Sequence, residues 1–483
     1  MSRQATETEP LLSSQREEAG AIGALSPVLW LFPAVILAST SRGISMFARY
    51  DYYQDMFCSG APYPCGFFAE WIKLPGLTLQ MQMWPMFASF VVSFMTIGWW
   101  STFGDRRGRK PVLFASLFGA MLLDLSYLII ANIQLLRENA QDCVSIGLMI
   151  DGLLGGFATY NGVVYAYASD VSHSSVYRTV FFCVLQTVSF LSFRIGAAFG
   201  LLSSSVMSHS NLSYILSVTI ALLNLLYIFF LLPESLTSQQ RERYNLAPDT
   251  QSTALKSILS PFSVFLRGST SRKHLPLFAL SIYIYTLTSG LDVAMLIHTT
   301  LRGYFPSLPR WLLLIIPSIL KVATLLGIIP TLAWMFMKSY GDTEKSGLLF
   351  AKSVAQNSIL IGALSTLGIL VFGGPKSSIL FDAFFWLYSF SAGALPALYS
   401  LAASYFVALN RGQEIGSLFG ALSIWGSLAQ IVSHVVLRGE RYFEVYWFAS
   451  FLLVTSVIFL VPDGPPPPTE ASDGGVGSAE ESA

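Results

Sequence analysis

The run Gly104-Asp105-Arg106-Arg107-Gly108-Arg109-Lys110 packs five charged groups into seven positions between two apolar stretches, 83–103 and 111–133. A water-soluble core has no use for such a plug. Two membrane helices joined by a very short loop do, because Lys and Arg bias a loop toward the cytosol. Composition agrees: the chain is 53% hydrophobic and 12% charged, with mean hydropathy +0.58, whereas soluble domains carry roughly a quarter charged residues. The net charge is zero, so nothing directs the chain to nucleic acid.

A spanning helix needs about 20 mostly apolar residues. Candidates lie near 28–49, 83–103, 111–133, 144–168, 178–204, 212–232, 275–300, 310–337, 348–373, 378–406, 414–436 and 443–461. The expected fold class is therefore an all-α membrane protein of twelve spans. The longest connection, 233–274, divides it into two six-helix bundles, 28–232 and 275–461, as in internally repeated transporters. Residues 1–27 are polar and carry Glu7, Glu9, Glu17 and Glu18, which does not fit a cleavable signal peptide. Lys and Arg concentrate in this tail, in the 104–110 loop and in the central loop, so these and both termini are expected in the cytosol. The tail 462–483, opening Asp463-Gly464 and then four prolines, reads as disordered.

Cys58 and Cys65 fall in the first outside loop, where a disulfide is permitted and two unpaired thiols are the alternative. Asn211-Leu212-Ser213 is a glycosylation sequon at an outside loop, close to the next span. Cys143 and Cys183 have no Cys or His neighbours at ligand spacing, so no metal site and no cofactor is expected.

The charged loop resembles the cytoplasmic loop motif of the major facilitator superfamily, G-x-x-x-D-R-x-G-R-R. Asp105-Arg106-x-Gly108-Arg109-Lys110 match in order and spacing, while the leading glycine is Ser101 here. The resemblance implies that Asp105 helps hold the two halves together on the cytosolic side and releases when that side opens. Tyr167-Ala168-Ser169-Asp170, followed by Arg178, looks like the family's connection between the fourth and fifth helices. There an acid and an arginine join the same cytosolic network. Pro233-Glu234-Ser235 after the sixth span is also similar to these transporters. The alternative is that these charges only fix topology.

Charges in hydrocarbon cost several kcal/mol unless paired or hydrated, so those inside spans are functional candidates. They are Arg42, Asp124, Asp151, Arg194, Asp292, His298, Lys321 and Asp382. The resemblance implies that the first, fourth, seventh and tenth helices line the cavity and the second, fifth, eighth and eleventh flank it. That selects Arg42, Asp151, Arg194, Asp292 and Lys321 for handling substrate or proton, with Asp292 and Lys321 a plausible pair. Asp124, on a supporting helix, suits a structural ion pair; Asp382 and His298 lie near an outside end, where water can reach them. Trp386 and Tyr388 could face a planar organic substrate, although interfacial belts account for membrane aromatics equally well. Glu7-Thr8-Glu9-Pro10-Leu11-Leu12 fits the acidic dileucine pattern read by endosomal sorting adaptors, with Glu7, Leu11 and Leu12 as its reading points.

No phosphate-binding loop of the G-x-x-x-x-G-K-[ST] type occurs, so coupling to an ion gradient is expected rather than to ATP. The general pattern is similar to drug:proton antiporters and proton-coupled folate transporters. The antiporter signature of the fifth helix lacks its proline: Arg194-Ile195-Gly196-Ala197-Ala198-Phe199-Gly200 keeps two glycines. The reading is a secondary transporter, not an enzyme. Its partners are a small-molecule substrate, protons, the lipid bilayer and possible sorting adaptors. It would export or sequester a metabolite or xenobiotic at the plasma membrane or a vacuolar or lysosomal one. The competitors are a proton-coupled nutrient importer and a facilitator-like nutrient receptor.

Overall fold

The computed structural model describes residues 29–58, 75–133, 136, 139–172, 174–206, 211–238, 241–242, 276, 279–289, 310–341, 343–372, 378–408, 414–436 and 442–459. Within them the chain is built from helices, numbered here by the span they occupy. The first half comprises α1 (Leu31–Cys58), α2 (Pro75–Arg107), α3 (Arg109–Asn132), α4 (Ala140–Leu153 and Gly156–Asp170), α5 (Ser175–Val206) and α6 (Asn211–Phe230). The second half comprises α7, described over 279–289, and α8, made of Arg310–Ala323, a π-helical turn Thr324–Ile328 and Ile329–Tyr340. After α9 (Glu344–Phe372) comes α10, made of Ser378–Tyr388, a 3-10 turn Ser389–Gly393 and Ala394–Ala408. Then α11 (Ile415–Val436) and α12 (Tyr442–Phe459) complete it. By length and composition, seven of the described helical segments can cross a membrane. Exposed Leu, Ile, Phe and Trp side chains are distributed widely over the surface, as expected where the solvent is lipid.

In the first half α1 packs on α5 and α6, and α3 on α4 and α6. The α1–α5 contact is close because both helices present glycine. A Cβ at Gly43 would collide with the Phe193 carbonyl, one at Gly196 with that of Thr40, and one at Gly200 with that of Ile44. Small residues let membrane helices approach backbone to backbone, where dispersion forces act. The two glycines that survive from the fifth-helix signature therefore have a structural use. In the second half α9 is the hub, packed on α10 and α12.

The fourth apolar run does not form one continuous helix. It breaks at Gly155 and Gly156, whose positive φ values of 104° and 58° suit glycine. A break in hydrocarbon must have its freed carbonyls bonded. Thr96 donates to the Gly152 carbonyl at 2.8 Å, and the Trp100 indole donates to that of Leu153 at 3.0 Å. Both donors lie on α2, so α2 holds the break open. In α8 the π turn ends just before Pro330, which has no N–H to continue the ladder.

Between the halves, α11 packs against α2 and α4, while α5 packs against α8, α9 and α10. One continuous buried cluster crosses this seam, including Tyr165, Phe182, Tyr399 and Phe419.

Candidate functional site

The charged loop is the corner of a buried polar lock. Gly108 has φ 118° and reverses the chain between α2 and α3; a Cβ there would occupy the Glu234 carboxylate's place. Glu234 accepts from the Arg109 and Lys110 backbone N–H groups at 2.7 and 3.2 Å, so it caps the first turn of α3 with negative charge. Arg106 occupies the last turn of α2. Lys110 enters the lock through its backbone alone.

Arg109 is 1% exposed and bridges two acids. Its Nη1 donates to Asp105 Oδ1 at 2.6 Å and its Nε to Asp170 Oδ2 at 3.0 Å. Ser235 donates to the same Asp170 oxygen at 3.1 Å. Asp105 also crosses the seam. Its Oδ1 accepts from the Gly416 N–H at 3.0 Å, and its Oδ2 from the Ser417 N–H and hydroxyl at 3.0 and 2.9 Å. A carboxylate of the first half thus caps a helix N-terminus of the second, where charge and orphan donors favour an anion. At Gly416 a Cβ would collide with the Arg109 guanidinium, so glycine is required for this closeness.

Among the described residues Arg178 makes no ion pair with Asp170, although the two interact electrostatically. Arg178 sits at a second crossing of the same end, where its Nε donates to Ser172 at 3.0 Å and its Nη1 to Ser404 at 3.4 Å. Beside it the seam is zipped by hydroxyl pairs, Ser175 with Ser404 at 2.6 Å and Thr179 with Ser400 at 2.7 Å. A Cβ on Gly347 would collide with Ser175.

Next along the seam is an aromatic cluster to which each half contributes two rings. Tyr165 lies 4.6 Å from Tyr399 and 5.0 Å from Phe182; Phe419 lies 5.8 Å from both Phe182 and Tyr399. All four are buried. Sequence reasoning missed them and looked to Trp386 and Tyr388 on the same helix as Tyr399. Tyr399 of α10 pairs across the seam with Tyr165.

The break in α4 carries the third feature. The Arg42 guanidinium lies over the rings of Phe157 and Tyr160, 4.6 and 4.2 Å from their centroids, a cation–π arrangement. Asp151 is within electrostatic reach of Arg42 and closes the first segment of α4. Asp151 Oδ1 and the Tyr160 hydroxyl are buried and have no hydrogen-bond partner among the described residues. Orphaned buried oxygens beside a cation mark a place for a ligand or a proton.

The remaining candidates separate. Asp124 pairs with Arg49 and accepts from Ser217 at 2.6 Å, inside the first bundle. Arg194 is exposed and lies over Phe190 at 5.2 Å. Lys321 is half-buried in α8. Asp382, expected in water, is only 7% exposed. Asn211 opens α6 with its amide donating to Asn132 at 3.1 Å, and Ser213 of the sequon is fully buried. Asp292, His298, Cys65, the Cys58 side chain, and Glu7, Leu11 and Leu12 lie outside the described residues.

Two helical bundles joined along a seam, with the loop motif as the lock at one end, form a multi-pass helical membrane protein with the fold of the major facilitator superfamily structures. No family model matches the chain. The MFS-type transporter avaJ of Aspergillus versicolor is 32% identical over 143 residues, which is 29% of this chain and 27% of that protein. The lysosomal proton-coupled steroid conjugate and bile acid symporter SLC46A3 of Gallus gallus is 22% identical over 224 residues, 45% of this chain and 46% of the relative. The matched stretches thus span less than half the length of either relative. Among solved structures, the human organic anion transporter MFSD10 superposes with a TM-score of 0.60 at 18% identity, over 90% of this chain and 98% of that one. The facilitator FucP in its outward conformation gives 0.62 at 15% identity, over 90% and 97%. These structures share the fold.

Proposed function

We propose that the protein is a secondary transporter that carries a small organic anion together with protons by alternating access. The observation that carries this reading is Arg42, clasped by Phe157 and Tyr160, with the orphaned Asp151 oxygen nearby at a broken helix. Arg42, beside Asp151 and with the Arg49–Asp124 pair balanced further off, can be neutralised in two ways. Either Asp151 is ionised and the site is empty, or an anionic substrate occupies Arg42 and Asp151 takes up a proton. Exchange between these states couples substrate to proton, because only one negative charge is stable beside Arg42. Asp292 and Lys321 are proposed to serve the same coupling from the second half, and Arg194 to attract the anion.

The lock end faces the cytosol in this reading and is the closed end. The MFSD10 and SLC46A3 names, an organic anion transporter and a proton-coupled symporter of conjugates and bile acids, support the substrate charge and the coupling. The lysosomal address of SLC46A3 supports the reading of Glu7, Leu11 and Leu12 as a sorting signal to a vacuolar or lysosomal membrane.

The test is metabolite profiling of cells with the wild-type protein, with Arg42→Ala, and without the protein. Carboxylated or sulfated compounds should redistribute only with the wild type. A redistribution confined to cations, or one that Arg42→Ala preserves, overturns the anion reading. Orientation is checked at Arg107, exposed in the loop: Arg107→Cys should react with an impermeant thiol reagent only after permeabilisation.

A further inference from the structure

At the lock, the first turn of α11 is met by a carboxylate, that of Asp105. The first turn of α5 makes the corresponding crossing on the other side of the seam, and there no described carboxylate is ion-paired with Arg178. Instead a cavity of about 230 Å³ opens beside it. Its walls come from both halves: Ser174 and Arg178 on the α5 side, Thr343, Glu344 and Ser404 on the other. Arg178 is 8% exposed, and among the described residues its side chain donates to two neutral serine hydroxyls.

The cavity also holds spare donors. Ser174 uses its oxygen to accept from the Tyr177 N–H at 3.4 Å, and Thr343 uses its own to accept from the Ser346 N–H at 3.1 Å. Both hydroxyl protons remain free to turn inward. A buried guanidinium with two hydroxyl donors at a helix N-terminus matches the geometry of a tetrahedral oxyanion. Two acids oppose a bound anion: Glu344, exposed on the second-half wall at the first turn of α9, and Asp170, both within electrostatic reach of Arg178.

We propose that this cavity binds a phosphate group, which stands at the α5 crossing where Asp105 stands at the α11 crossing. Because both halves line it, the bound phosphate clamps the closed seam. The site is independent of the transport reading: it is assayed by binding, and a failed transport experiment leaves it intact.

The experiment is thermal unfolding of the purified full chain in detergent with added inorganic phosphate, and in nanodiscs of phosphatidylcholine with or without phosphatidic acid. A ligand that binds only the folded state raises the midpoint. Phosphate or phosphatidic acid should raise that of the wild type by a few degrees and leave that of Arg178→Gln unmoved. A response to phosphate alone assigns a soluble ligand, and a response to phosphatidic acid alone assigns a lipid headgroup. Glu344→Gln, which removes its share of the repulsion, should enlarge the shift, and it serves alone if Arg178→Gln does not fold. Equal shifts in wild type and Arg178→Gln, no shift with either probe, or a shift that Glu344→Gln fails to enlarge would overturn the site.

Discussion

Asp105 and Ser417 are 312 residues apart and share two hydrogen bonds, from the Ser417 backbone N–H at 3.0 Å and from its hydroxyl at 2.9 Å. At this crossing the first bundle therefore grips a helix terminus of the second. Losing the carboxylate removes the cap of α11 and half of the charge that balances Arg109.

Asp105→Asn should leave insertion and abundance near wild type and impair transport strongly, because it unseats the closed state. Charge-assisted hydrogen bonds contribute on the order of 1.5–3 kcal/mol each, enough to shift a two-state population about tenfold or more. Thr179 is fully buried in the seam, so Thr179→Cys reports the opening. It should react with a cytosolic thiol reagent in the Asp105→Asn background and resist it otherwise. Equal reactivity in both backgrounds defeats the gating role.

Two glycine substitutions should fail in different ways. Gly416→Ala places a methyl against Arg109, which disturbs the lock and should raise Thr179→Cys reactivity at near-normal abundance. Gly196→Ala drives a methyl into the backbone of α1, which cannot yield within a packed bundle. It should lower the yield of monodisperse protein on size-exclusion chromatography. Similar yields for the two variants would contradict this division.

Tyr399→Ala should open a leak through the aromatic cluster, seen as faster dissipation of a pH gradient in proteoliposomes without substrate. Tyr399→Phe keeps the ring and should stay tight. A leak of equal size in both variants would assign the seal to the hydroxyl instead.

Asp151→Asn should flatten the pH dependence of transport, since the amide cannot take up the proton that accompanies the anion. Arg42→Lys should also lose most activity despite its charge, because an ammonium does not stack on Phe157 and Tyr160 as a guanidinium does. If Asp151→Asn keeps the wild-type pH profile at reduced abundance, Asp151 is a structural acid.

The corner at 104–110 was legible because charge between two apolar runs has a single physical reading. Its counterpart was not: Gly416 and Ser417 are ordinary residues at the start of an apolar run, and only the fold brings Asp105 to their amides. Arg42 and Asp151 stood out for the same reason as the corner. Their setting did not, since aromatic residues in spans carry no label distinguishing lipid, seal and cation clasp. The break in α4 was hidden because Gly155 and Gly156 leave hydropathy nearly unchanged while altering the backbone. Asp170 and Arg178 were linked by resemblance to the family's connection between the fourth and fifth helices. In space Asp170 bonds Arg109 and Ser235, whereas Arg178 bonds Ser172 and reaches Ser404 of the second half.

The interlocked glycines of α1 and α5 have a mechanical consequence. Side chains can swing between rotamers and absorb displacement, whereas two backbones in contact through Gly43, Gly196 and Gly200 have no such slack. Torque applied at one end of α5, where Ser175 and Thr179 meet α10, is transmitted undamped to α1 and so to Arg42. The first bundle turns as one stiff lever. In the transport cycle proposed above, Arg42 and the seam hydroxyls ride on the same arm, so the stroke that parts the seam would also reorient the clasp.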